Sequence, residues 1–196
     1  EIRGAGELLG DEQSGQIHEI GFTLYTEMLE RAVKAIRAGK QPELDRPLDH
    51  GTEIDLQVPA LLPEDYLPDV HVRLIQYKRI ASAASAAELR DLKVEMIDRF
   101  GLLPDPAKHL FDLTELKLRV QPFGIRKVEA GPAGGRILFD SEPKVEPARI
   151  IALIQTRPQE FKLDGADKVR FFGDFGEPET RIQRVSQRLD QVIGLH

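Results

Sequence analysis

Two hydrophobic rhythms divide this chain, and the point where one gives way to the other limits the folds open to it. From residue 70 to about residue 120 the apolar positions recur mostly at three- and four-residue steps, the period of helices buried along one face. From Ile125 onward, short apolar runs alternate with glycine-rich turns, the pattern of hairpins. Helices and strands collected in separate runs, without strict strand–helix–strand alternation, make an α+β fold.

Within that frame, Thr52–Val58 alternates Ile54, Leu56 and Val58 with Glu53, Asp55 and Gln57, as a half-buried strand does. Pro59, Pro63 and Pro68 then carry an extended loop. Val70–Ala81 reads as a helix with Val72, Ile75, Arg79, Leu74 and Lys78 on neighbouring faces. Ser85 and Glu88 form a capping box for a helix that ends at Phe100 and Gly101. Asp105 caps a further helix, with Pro106 at its first position, running to about Val120. Ile125–Ala130 and Arg136–Asp140 flank the turn GPAGG as one hairpin, and Phe161–Leu163 and Lys168–Phe172 flank Asp164–Gly165 as another. Pro147–Thr156 is a short helix between them. A second capping box at Thr180 and Gln183 opens a terminal helix towards Ile193.

The first 50 residues differ. Gly4, Gly6, Gly10 and Gly15 punctuate residues 1–15, after which Ile17, Ile20, Leu24 and Met28 set a helical stripe, widened by Tyr25, Leu29, Ala32 and Ile36, up to a C-capping Gly39. Pro42 and Pro47 lie in a polar stretch that reads as a linker. We expect an N-terminal glycine-rich loop and helical arm over residues 1–39, a linker over 40–51, and a compact α+β domain over 52–196. The chain opens at Glu1, directly against its densest motif, which leads us to expect a piece of a larger protein.

Composition narrows the function. The 196 residues contain no Cys, so thiol nucleophiles, thiolate metal sites and disulfides are excluded, and a reducing, cytoplasmic location is expected. No apolar run approaches the roughly 20 residues of a membrane-spanning helix, and no membrane partner is expected. A net charge of −6 argues against independent DNA binding by the bulk of the chain. The five histidines lack metal-ligand spacing, and no carboxylate pair stands beside a nucleophile, so neither a metal site nor a catalytic residue is expected here.

Gly4-x-Gly6-x-x-x-Gly10 invites a phosphate-loop reading and fails it. The third glycine is one residue late for a dinucleotide loop, no Lys follows as a Walker loop requires, and Glu7, Asp11 and Glu12 repel phosphate. Arg3 and Gln13 bracket the segment instead. A guanidinium fork and a carboxamide suit a loop that must be held in one shape and moved as a unit. Farther on, Leu89, Leu92, Met96 and Phe100 share one face of the 86–100 helix, with Asp91, Glu95 and Asp98 roughly opposite and Arg99 at the flank. A solvated charged face is the plain account of that stripe. For Phe171, Phe172 and Phe175, a core strand and its adjoining turn is favoured over an aromatic platform for bases.

IRGAGELLGDEQSG followed by HEIGFTLYTEMLERAVKAI resembles the motif shared by RecG-type branch-migration helicases and bacterial transcription-repair coupling factors (Mfd). LLPEDYLPDVHVRLIQYKRIA and ELRDLKVEMIDRFGLLPDPAKHL resemble the C-terminal domain of the coupling factors. The resemblance covers nearly the whole chain. It implies the end of a second motor lobe followed by a regulatory domain, in an ATP-dependent double-stranded-DNA translocase that displaces stalled RNA polymerase and recruits nucleotide excision repair. It also implies that Arg3 and Gln13 couple the motor to DNA. ATP and Mg would be used by the full-length protein, with no cofactor in this chain and no ATPase of its own. Glu95, Asp98 and Arg99 would then form an interdomain docking face. That face would hold the protein's own N-terminal UvrB-like module and control access by a UvrA-type repair protein.

The rival is a free-standing acidic adaptor in which residues 1–38 fold as part of the domain. Limited proteolysis separates the two. Rapid cutting between Lys40 and Gly51 that leaves a resistant core is expected for an arm, whereas uniform resistance from Glu1 onward would favour the adaptor.

Overall fold

The computed structural model describes residues 51–195, which belong to one compact unit beginning at Gly51. The arm and nearly all of the linker, with Arg3 and Gln13, lie outside the described residues. In chain order the unit contains β1 (Glu53–Asp55), α1 (Val70–Ala81), α2 (Ala86–Phe100) and α3 (Asp105–Val120). A 3-10 turn (Gln121–Phe123) leads to β2 (Ile125–Gly131) and β3 (Gly134–Phe139). Then come α4 (Pro147–Thr156), β4 (Phe161–Leu163), β5 (Lys168–Phe172) and α5 (Pro178–Ile193). The fold is α+β, as the change of rhythm implies.

The five strands form one sheet in the order β1-β2-β3-β5-β4. Only the β1–β2 pair is parallel, and all three helices of the first half lie in the crossover between those two strands. The β2–β3 turn has two residues, Pro132 and Ala133, between paired Gly131 and Gly134. A side chain at Gly135 would meet the Glu129 carbonyl at 2.1 Å and the Phe171 ring at 2.5 Å, so the bare backbone there lets Phe171 pack beneath the hairpin.

Two cores result. Ile125, Val128, Ile137, Val169 and Phe171 from one face of the sheet pack against Leu116 and Val120 of α3 and against Val185, Leu189 and Val192 of α5. The second core joins Ile80 of α1, Leu89, Leu92 and Met96 of α2, and Ala107 and Phe111 of α3. Thus α3 serves the helical core with its first half and the sheet core with its second. Arg119 near its end donates to the Ser186 hydroxyl of α5 at 2.5 Å. The other sheet face carries Lys127, Glu129, Arg136, Leu138, Lys168, Arg170 and Phe172, none of them buried.

The proline-rich segment 59–69 wraps the helical core and is fastened largely by side chains. The Leu62 amide donates to the Tyr77 hydroxyl at 2.7 Å, and Tyr66 donates to the Gly101 carbonyl at 3.1 Å. Arg73 donates to the Leu67 carbonyl at 2.5 Å. His109, buried, sets Nδ1 2.9 Å from the Pro59 carbonyl, which can only accept, so that nitrogen carries the proton.

Four local expectations are corrected. Strand β1 stops at Asp55 because Gln57 takes a left-handed backbone (φ 52°) that no ladder accommodates. In α1 the buried residues are Gln76 and Ile80, while Leu74 and Ile75 are exposed, so packing and not the apolar spacing sets the inward face. Pro104, not Asp105, is the N-cap of α3, and Asp105 pairs with Lys108 at 2.7 Å. Helix α5 starts at Pro178 after Glu177, so Thr180 is not its cap.

The residue after Thr180 is turned into the fold. Arg181 is 5% exposed, and its guanidinium donates to four carbonyls: Phe175 at 2.7 Å, Leu56 and Gln57 at 2.8 Å each, and Gly176 at 2.7 Å. Lysine has no planar fork and three donors at most, so it leaves at least one of these carbonyls bare. Arg181→Lys should therefore cost about 1–3 kcal/mol, and Arg181→Met about 3–5 kcal/mol, in urea unfolding monitored by circular dichroism.

Candidate docking surface on the first two helices

Helix α2 is fixed at both ends before any site is built on it. Ser85 accepts from the Glu88 amide at 3.2 Å, and Glu88 reaches back to the Ala84 amide at 2.8 Å, one residue beyond the usual capping-box partner. Gly101, at φ 90°, closes the helix. With Leu89, Leu92 and Met96 buried, Arg90, Asp91, Val94 and Asp98 face outward. Glu95 lies at the border between the buried and open faces, where α2 meets α1.

There Glu95 receives two cations. Arg79 of α1 grips it with both terminal nitrogens, at 2.7 and 2.6 Å, and Arg99, one turn on, donates to it at 3.0 Å. The Arg99 guanidinium also stacks over Phe100 at 5.1 Å from the ring centroid. Hydrogen bonding from Arg79, then from Arg99, pulls the Glu95 carboxyl down to about 2. Asp98 is exposed and forms no hydrogen bond or ion pair with another described residue. Two of the three residues singled out by sequence, Glu95 and Arg99, are therefore joined, and Asp98 stands beside them unpaired.

Sequence reasoning missed Arg79. It belongs to a different helix, sixteen residues away from Glu95, and only the α1–α2 pairing brings the two together. Exposed Ile75, one turn before Arg79, and exposed Val94, next to Glu95, add apolar area to the same pair of helices. The surface is mixed and charge-balanced: two guanidinium groups, two carboxylates and a few aliphatic side chains. Among the described residues no cluster of His, Asp and Glu could hold a metal ion, and no helix is long and apolar enough to cross a membrane. The geometry suits contact with another protein surface.

Residues 56–150, which include this surface, match the family model described as the TRCF domain. The chain is 52% identical over 192 residues to the transcription-repair-coupling factor of Escherichia coli K12, and equally to that of Haemophilus influenzae. Each alignment covers 98% of this chain and 17% of the relative. The Myxococcus xanthus transcription-repair-coupling factor is 39% identical over 163 residues, 83% of this chain and 13% of the relative. A crystal structure of the C-terminal domain of a transcription-repair coupling factor superposes with a TM-score of 0.60 at 19% identity. It covers 74% of this chain and 94% of that one, which shows a shared fold. The chain belongs to the transcription-repair-coupling factor family, and it spans less than a fifth of the length of these three relatives.

The Glu95 carboxyl yields a pH test. Because its value in the folded state lies below the ordinary 4.5, its stabilising contribution is complete above about pH 4.5 and lost as the pH falls towards 2. Glu95→Gln should lower stability at neutral pH and flatten the acid limb between those values. Urea unfolding measured across that window tests this.

Proposed function

We propose that residues 52–196 are the regulatory domain of an ATP-dependent double-stranded-DNA translocase that displaces stalled RNA polymerase and recruits nucleotide excision repair. Family membership supports the setting, since the relatives are named for coupling transcription to repair. ATP and Mg would act elsewhere in the longer protein. Arg3 and Gln13 would couple that motor to DNA.

The observation that carries the regulatory role is the Arg79–Glu95–Arg99 cluster with unpaired Asp98 beside it. Glu95 is held by two cations before any partner arrives, so both guanidiniums are already oriented, and the Asp98 carboxylate beside them is open to a partner. Docking there orders few additional side chains, and an interface of this polarity opens readily. The partner would be the protein's own UvrB-like module. When docked, the domain would cover the surface that a UvrA-type repair protein uses.

In the intact protein, reversing Glu95 and Asp98 together to Lys should release the module and raise affinity for the repair partner. Asp98→Lys alone breaks no bond within the domain and should produce part of the effect, about tenfold or less, as expected for one interfacial charge. Binding of the purified repair partner by surface plasmon resonance is the measurement. Affinity unchanged in both variants, each shown to be folded, would remove the docking assignment.

A further inference from the structure

A second surface lies on the sheet face turned away from the core. Residues directly opposite on paired strands share a face. Lys162 of β4 stands opposite Arg170 of β5, and Arg170 stands opposite Arg136 of β3. Three cations thus form a row across three adjacent strands, spaced by about 4.8 Å per strand. Lys168 and Phe172 lie two residues either side of Arg170 on the same face, and Leu138 is opposite Lys168.

Most acidic residues of this face are elsewhere, and Asp164 of the β4–β5 turn lies near Arg136 without an ion pair to it. Glu53 and Asp55 lie on β1 and Glu129 on β2, where Glu53 and Glu129 hold Lys127. Glu129 also binds Arg136, but Lys162, Lys168 and Arg170 form no ion pair with another described residue. Like charges directly opposite destabilise a strand pair, so the fold gains nothing from Lys162 facing Arg170. In a chain of net charge −6, three cations on one patch with no ion pair to a described residue are a local excess of positive charge.

An aromatic ring accompanies them. Phe171 and Phe175 are buried and pack edge to face at 5.5 Å, whereas Phe172, half-buried on the opposite face, lies 5.7 Å under the Arg170 guanidinium. Its cross-strand neighbour is Gly134, which has no side chain to crowd the ring. Cations that track a backbone, beside a ring that accepts a planar group, are the elements of a single-strand platform. A duplex keeps its bases stacked and offers nothing to Phe172. An acidic peptide satisfies the cations without using the ring.

We infer that the β3–β5–β4 face binds single-stranded nucleic acid, with phosphates on Lys162, Lys168 and Arg170 and one base stacked on Phe172. This surface is built from other elements than the α1–α2 docking face and does not rest on it. Fluorescence anisotropy of a short labelled oligothymidylate with the full 196-residue chain tests it. Three phosphate contacts predict a slope of about −2 for log affinity against log salt. Lys162→Gln with Arg170→Gln should reduce that slope to about −0.7 and weaken binding by tenfold or more. Both side chains are exposed, so this double variant should fold, and losing the like-charge pair should leave it no less stable. Phe172→Leu should weaken binding about fivefold or more with the slope unchanged, separating stacking from charge. No binding at low salt, binding indifferent to the double variant, or equal competition by a duplex or by polyglutamate would each overturn the inference.

Discussion

A guanidinium enclosed by carbonyls joins the two halves of this domain. Arg181 has no carboxylate partner among the described residues. The charge is compensated by four backbone dipoles drawn from the end of β1 and from the loop before α5. Taking a cation out of water costs several kcal/mol, and such a group is tolerated only when its donors are satisfied. Two of the acceptors flank the left-handed turn at Gln57, a conformation that itself costs about 1–2 kcal/mol for a residue with a side chain. The arginine thus fixes the point where the chain leaves the sheet and turns towards the helices.

The course of the helical half depends on that exit. The proline segment forms no ladder, and its path is set largely by Tyr66, Arg73, Tyr77 and His109, with the Leu61 amide donating to the Pro106 carbonyl. Arg73 and Tyr77 sit on α1 and Tyr66 bonds to α2, the helices that present Glu95, while His109 ties the segment to α3. Position is therefore passed from a buried polar contact, through a strap, to a helix pair, and then to a surface. Each link is a specific hydrogen bond, whereas the apolar clusters supply the cohesion.

Much of this was legible in the sequence because the signals were local. Ser85 with Glu88, Gly101, and the GPAGG turn each act over a few residues, and each lies where its chemistry requires. The resemblance to the coupling factors rested on long continuous stretches and needed no structure. Other features depended on partners distant in sequence. Thr180–Gln183 has the spacing of a capping box, but Pro178 already starts the helix, and Arg181 is drawn inward by carbonyls up to 125 positions away. In α1 the apolar residues are spread around the axis, so their pattern does not choose a face, and packing against α2 and α3 does. Arg79 was visible as a residue but not as the partner of Glu95. The aromatic triplet also divided, two rings going to the core and one to the opposite side of the sheet. Arg3 and Gln13 fall outside the described residues.

Helix α3 gives the domain a mechanical character. Its sixteen residues make a rod of about 24 Å that is embedded in one core at its start and in the other at its end. Bending it at the middle would disturb the packing at both ends, so the shaft resists flexure more than either half would alone. The α1–α2 pair and the sheet are thus tied to one shaft, and shifting either against the other would open one of the two cores.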